Sequence, residues 1–252
     1  MKNIIKSILM ITMISQMSFL SISAFAAEAK IETKVESNNK LKIDIVSDVV
    51  CPWCAIGYKR LSQAIEEMKV QDQVEIAWHP FELNPEMPRE GQNADKYLMD
   101  KYGLSEDKLK QTRNNVTELG KESGFKFDYF KEMKKVNTFN AHILLAYAKE
   151  FNKQTELKVR LQNAYFGERK DISNREVLFE ELQAVGLNAQ EAMKRLDDPK
   201  AIKDVEDEEK FWRDQGVYAI PTIIFDNKIA QMGADEVSTY KEILTEMLKT
   251  KK

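Results

Sequence analysis

From Leu41 to Ile45 apolar and polar residues alternate, with Leu41, Ile43 and Ile45 separated by Lys42 and Asp44, and Val49 and Val50 follow. Period-two alternation predicts a strand, over 41–50. The period then changes: Leu61, Ile65 and Met68 recur at helical spacing, predicting a helix over 54–69 before a second strand over 74–81. Pro80, Pro85 and Pro88 interrupt the pattern. From Ala94 to about Asp214 nearly every stretch reads helical, including "EDKLKQTRNNVTELGKESG", "TFNAHILLAYAKEFN" and "ELKVRLQNAYFGE". Strand character returns over 222–225, with a partner over 229–232 and a closing helix over 236–249. Gly233 suits the turn between those last two. The pattern is that of an α/β chain with a long helical run in its middle.

The N-terminus reads differently. Lys2 and Lys6 precede an apolar run, Ile8 to Phe19, which ends in "SISAFAAEAK". Ala24-Phe25-Ala26 has the small-x-small form of a signal-peptide cleavage site, so the mature chain is expected to begin at Ala27. The apolar run is shorter than the ~20 residues a membrane span needs. The expectation is an exported protein, periplasmic in location, whose thiols work where disulfides persist. With 43% hydrophobic and 31% charged residues the chain can bury a core. A net charge of -3 offers no electrostatic reason to expect nucleic acid as a partner.

The chain has two cysteines, Cys51 and Cys54, in "SDVVCPWCAIGYKR". Zinc would need about four ligands, and only His79 and His142 could join the thiols, neither at ligand spacing. A structural disulfide across two residues closes almost no loop and stabilises little. A redox dithiol is the third reading, and the local sequence favours it. Cys51 falls where strand turns into helix, and Pro52 suits the first helical position, where its missing N–H costs nothing. Free N–H groups and the positive end of the helix dipole then favour a Cys51 thiolate. Comparable helix-terminal thiols ionise at pH values of about 3.5–7. Cys54, one turn further in, can resolve a mixed disulfide formed on Cys51. Asp48 either relays a proton from Cys54 or caps the helix.

Far along the chain, "DQGVYAIPTIIFDNKIA" puts Pro221 directly before a strand that begins at Thr222. With a distant Cys-Pro-Trp-Cys, the Ile220–Pro221 step looks like a cis-proline loop facing the active cysteines. There it would expose the Ile220 backbone to a substrate peptide, strand-fashion. Trp53 is expected to be partly exposed in the active loop and able to touch substrate. His142 lies among apolar residues, either as a hydrogen-bonded core residue or on a groove between domains. His79, at a strand end, reads as structural.

Taken together, "SDVVCPWCAIGYKRL", "WHPFELNPEMPREGQN", "NTFNAHILLAYA", "RLQNAYFGERKDISNREVL" and "GVYAIPTIIF" resemble, in order, blocks of the FrnE-like branch of the DsbA family of thiol-disulfide oxidoreductases. One departure is Ile143, where members commonly place a basic residue after the histidine. The resemblance implies a thioredoxin-like fold with a large all-helical domain inserted after the second strand. The expected division is a signal peptide at 1–26, an extension at 27–40, thioredoxin-like parts at 41–92 and 215–252, and the helical domain at 93–214. It implies Cys51 as nucleophile, Cys54 as resolving thiol, and Ile220, Pro221 and Thr222 as the peptide-facing loop. The expected activity is disulfide exchange with cysteines of other exported proteins, served by a membrane or thioredoxin-like redox partner, without metal or organic cofactor. Two other readings stay open: a glutathione-linked transferase or isomerase on a small molecule, and a non-enzymatic chaperone or binding protein.

Overall fold

A computed structural model describes residues 40–251; the expected signal peptide and most of the extension lie outside the described residues. β1 (Leu41–Ser47) runs parallel to β2 (Val74–Pro80), joined through α1 (Pro52–Met68). β5 (Thr222–Phe225) pairs antiparallel with the other side of β1, and β6 (Ile229–Met232) pairs with β5. The sheet order is therefore β2-β1-β5-β6. α9 (Val237–Lys249) follows, after Gly233 takes a positive φ of 90° at the turn.

Between β2 and β5 lie α2 (Ala94–Tyr102), α3 (Glu106–Glu122), α4 (Phe139–Lys149), α5 (Gln154–Gly167), α6 (Arg175–Ala184), α7 (Ala189–Lys194) and α8 (Pro199–Asp214). A short ribbon of β3 (Gln92–Asn93) and β4 (Lys134–Lys135) is also present. Among the described residues no helix is long and apolar enough to cross a membrane.

Period-two alternation sorts β1 between two layers. Leu41, Ile43 and Ile45 pack with Leu61 and Ile65 of α1 and with Tyr240 and Leu244 of α9. Val46, on the opposite face, packs with Trp212 of α8. On that face His79 ties three elements together, with Nε2 2.7 Å from Asp44 of β1 and Nδ1 2.6 Å from Glu208 of α8. Burial disfavours the His79 cation, but the two carboxylates outweigh it and raise its pKa.

β1 stops three residues earlier than its apolar run predicts. Val49 and Val50 are fully buried, but they form the turn before α1 and pack into the core of the helical segment with Ala55, Ile56, Leu144 and Leu161. Their apolarity serves a second core, so it carries no strand signal.

The outer edge of β2 is closed by a side chain. Gln154 at the start of α5 accepts from the Trp78 N–H at 3.0 Å and donates to the Trp78 carbonyl at 2.9 Å. Its amide takes the place of a neighbouring strand, blunting an open edge. The same contact fixes where α5 meets the sheet.

Candidate active site

The turn from β1 into α1 is closed by the Cys51 N–H donating to the Asp48 carbonyl at 3.4 Å. Cys51 is the N-cap of α1: its backbone is extended (φ -93°, ψ 113°), and its Sγ accepts from the Cys54 N–H at 3.3 Å. Asp48 therefore does not cap the helix. It is buried and accepts from the Leu83 N–H at 2.9 Å.

Both cysteines are free thiols, and their environments split them. Burial works against a Cys51 thiolate, yet hydrogen bonds from the Cys54 thiol and backbone N–H, with the charge of Lys135, hold its pKa below the ordinary value. The Asp48 carboxylate opposes that lowering. Burial pushes the Cys54 thiol up, and its bond to Cys51 and the Cys51 charge add to the rise. One sulfur is prepared to ionise and the other to stay protonated.

Two buried lysines flank this pair. Lys135 of β4 donates through Nζ to the Val50 carbonyl at 3.3 Å. Lys158 of α5 donates to the Ser47 carbonyl at 3.4 Å and lies 5.2 Å above the centre of the Trp78 ring. Burial pushes the Lys158 ammonium down to about 8, against the pull of Cys54 and Asp48. Burial raises the Asp48 carboxyl, but contact with His142, the Leu83 N–H and Lys158 bring its pKa below the usual value. The site thus balances buried anions with cations supplied by the helical segment.

Neither lysine was picked out from the sequence. Lys158 left a signal, since it shares a helical face with Leu161 and Tyr165, both buried. Lys135 left none, lying in a two-residue strand without periodicity.

Pro221 faces this turn through a cis Ile220–Pro221 peptide, and the Ile220 carbonyl lies 3.9 Å from Cys51 Sγ. Gly57 of α1 allows the close approach: a Cβ there would stand 3.3 Å from Pro221 Cγ. An apolar groove of about 300 Å³ opens beside Cys51, Pro52, Trp53 and Ile220, walled by residues such as Leu98, Val116 and Phe166. Trp53 is 38% exposed at its mouth.

One expected position differs. Thr222 does not face the groove; it is buried, and its hydroxyl donates to the Ala219 carbonyl at 2.7 Å, fastening the loop. His142 takes the first of its two expected places, in the core and not on the groove. It is buried behind the turn, Nε2 3.4 Å from Asp48 Oδ1 but outside hydrogen-bond geometry. The apolar residues around it in α4 belong to the helical core, which draws the ring inward.

The sequence model of the DSBA-like thioredoxin domain matches residues 42–245. The chain belongs to this family. The chain is 26% identical over 209 residues to the uncharacterized protein YwbO of Bacillus subtilis, covering 82% of this chain and 98% of that one. A solved structure of a probable DsbA oxidoreductase from Streptomyces coelicolor is 26% identical, with a TM-score of 0.78 over 83% of this chain and 90% of that chain. A cytosolic disulfide reductase, DsbM from Pseudomonas aeruginosa, shares the fold at 16% identity, with a TM-score of 0.58 over 82% and 99% of the two chains. The DsbA-like fold and its paired thiols make this protein a thiol-disulfide oxidoreductase or a related enzyme.

Proposed function

We propose that this DsbA-like protein, of the FrnE-like branch, exchanges disulfides with cysteines of other exported proteins through Cys51 and Cys54. The observation that carries the reading is Cys51 itself: an N-capping thiol with a lowered pKa, opening on an apolar groove beside the Ile220 carbonyl. A substrate segment lying in that groove meets apolar walls, and the Ile220 backbone is available to pair with it.

In the reductive direction the Cys51 thiolate attacks one sulfur of a substrate disulfide. A Cys51–substrate disulfide forms, and the other substrate sulfur leaves as a thiolate. Cys54 then loses its proton and attacks Cys51, releasing the second substrate thiolate and leaving the Cys51–Cys54 disulfide. Two electrons pass from the protein to the substrate, and oxidation of a substrate runs the same steps backwards. Asp48 is held ionised and is a weak base, so it is a poor acceptor for the Cys54 proton. Lys158, at about 8, titrates in the range of a thiol and is the better match. The reading includes export to the periplasm and a membrane or thioredoxin-like partner that restores the dithiol or disulfide.

The test is trapping. Cys54→Ser should accumulate mixed disulfides with other proteins on non-reducing gels, and Cys51→Ser almost none. Equal trapping would refute the assigned roles. Unchanged activity with both cysteines replaced would favour a binding protein, and glutathione conjugation without disulfide exchange a small-molecule enzyme.

A further inference from the structure

Glu82, directly before Leu83, borders a second cavity that contains neither cysteine. Its volume is about 610 Å³, within the roughly 300–1,000 Å³ typical of ligand sites. Glu82 is 7% exposed, and its Oε2 has no hydrogen-bond partner among the described residues. Its backbone N–H donates to Glu209 Oε1 at 2.9 Å, which brings a second carboxylate close.

Two of the nearby cations are committed elsewhere. Arg213 donates to Glu209 Oε2 at 2.9 Å, and Arg175 is held by both oxygens of Asp197. Burial raises the Glu82 carboxyl to about 8, with the charges of Glu209 and Asp48 adding and Arg213 offsetting only part. An acid kept buried without a partner, bordering a cavity, is poised for a group that the protein does not supply. Glu206 of α8 adds a carboxylate at the exposed side, and Arg89 a guanidinium that hydrogen-bonds no carboxylate among the described residues, although its charge helps lower the Asp197 carboxyl.

We propose that this cavity binds a small peptide-like zwitterion, its ammonium against Glu82 and its carboxylate against Arg89. The lining sets three carboxylates, Glu82, Glu206 and Glu209, against three guanidinium groups, Arg89, Arg175 and Arg213, so a bare divalent cation meets no excess of negative charge, whereas a zwitterion satisfies both signs. A single amino acid would leave most of the volume empty, so a short peptide fits better. When the ammonium docks, Glu82 ionises and its proton goes to solvent.

Triglycine is the probe, titrated calorimetrically near pH 6.5 in two buffers of different ionisation enthalpy. Glu82 is then protonated in the free protein and the probe carries its ammonium. Binding should release about one proton per triglycine. N-acetyl-triglycine, without the ammonium, and triglycinamide, without the carboxylate, should each bind at least about tenfold more weakly. Glu82→Gln matches the shape of the protonated acid; it should weaken triglycine by a similar factor and abolish proton release. Arg89→Met, at an exposed position, should erase the preference for triglycine over triglycinamide. No binding into the millimolar range, binding without proton release, or equal binding of the acetylated peptide would overturn the proposal. None of these outcomes bears on thiol exchange at Cys51.

Discussion

Lys135 Nζ donates to the carbonyl oxygen of Val50 at 3.3 Å, which fixes a buried ammonium beside the residue that precedes Cys51. Lys135 lowers the Cys51 pKa and Asp48 raises it, so removing each should move the thiol in opposite directions. Lys135→Met should raise the Cys51 pKa and Asp48→Asn lower it, each by up to about one unit, or about 1.4 kcal/mol. Ultraviolet absorbance of the thiolate against pH reads both; shifts of the same sign would show that the charges do not act as described.

The same charges bear on the reduction potential. Stabilising the thiolate favours the reduced protein and makes the disulfide more oxidising, and Trp53, between Pro52 and Cys54, brings no charge of its own. The pair should fall around -200 to -270 mV, and Lys135→Met should make it more reducing by up to about 30 mV. Equilibration with glutathione measures both values. A wild-type potential near about -120 mV would mark a strong oxidase instead.

Lys158 holds down the pKa of Cys54, which burial otherwise pushes far up. Lys158→Met should therefore slow the resolving step by about tenfold or more while sparing the first attack. Rapid-quench trapping separates the steps: the mixed disulfide should persist longer in the variant, with its rate of formation little changed.

His79 gives the fold a pH dependence whose sign is determined. Its folded pKa is raised above the ordinary 6.5 by Asp44 and Glu208. The stability it contributes is fully present below that unfolded value and is lost as pH rises through the folded pKa. Urea unfolding across this range should show wild type losing stability with rising pH and His79→Gln losing distinctly less. Parallel curves would mean that the bridge is neutral in the native protein.

Gln154→Ala would strip both partners from the Trp78 backbone at the edge of β2. Two buried polar groups left unpaired should cost about 2–6 kcal/mol, at roughly 1–3 kcal/mol for each group. Gln154→Glu keeps the acceptor but loses the donor and should fall between, as chemical denaturation can check.

Local order along the chain was enough for the strand–helix frame of the sheet. β5 and β6 occur at 222–225 and 229–232 as the pattern predicts, and the two cysteines lie at a strand-to-helix turn because alternation, proline and helical spacing are properties of neighbouring residues. The sequence also ordered the helices that follow β2, since their apolar positions recur within each segment. It could not say where β1 ends, because Val49 and Val50 are apolar on behalf of a core built from residues much further along.

The electrostatics of the site lay beyond reach for the same reason. Lys135 and Lys158 arrive from 85 and 111 residues away along the chain to carbonyls of the turn they serve. His142 is drawn inward by the helical core toward Asp48, and Glu82 Oε2 is left without a partner among the described residues while Arg213 pairs with Glu209. Periodicity assigns a residue to a face of its own element; which charge that face meets, and whether water reaches it, depends on how the elements pack.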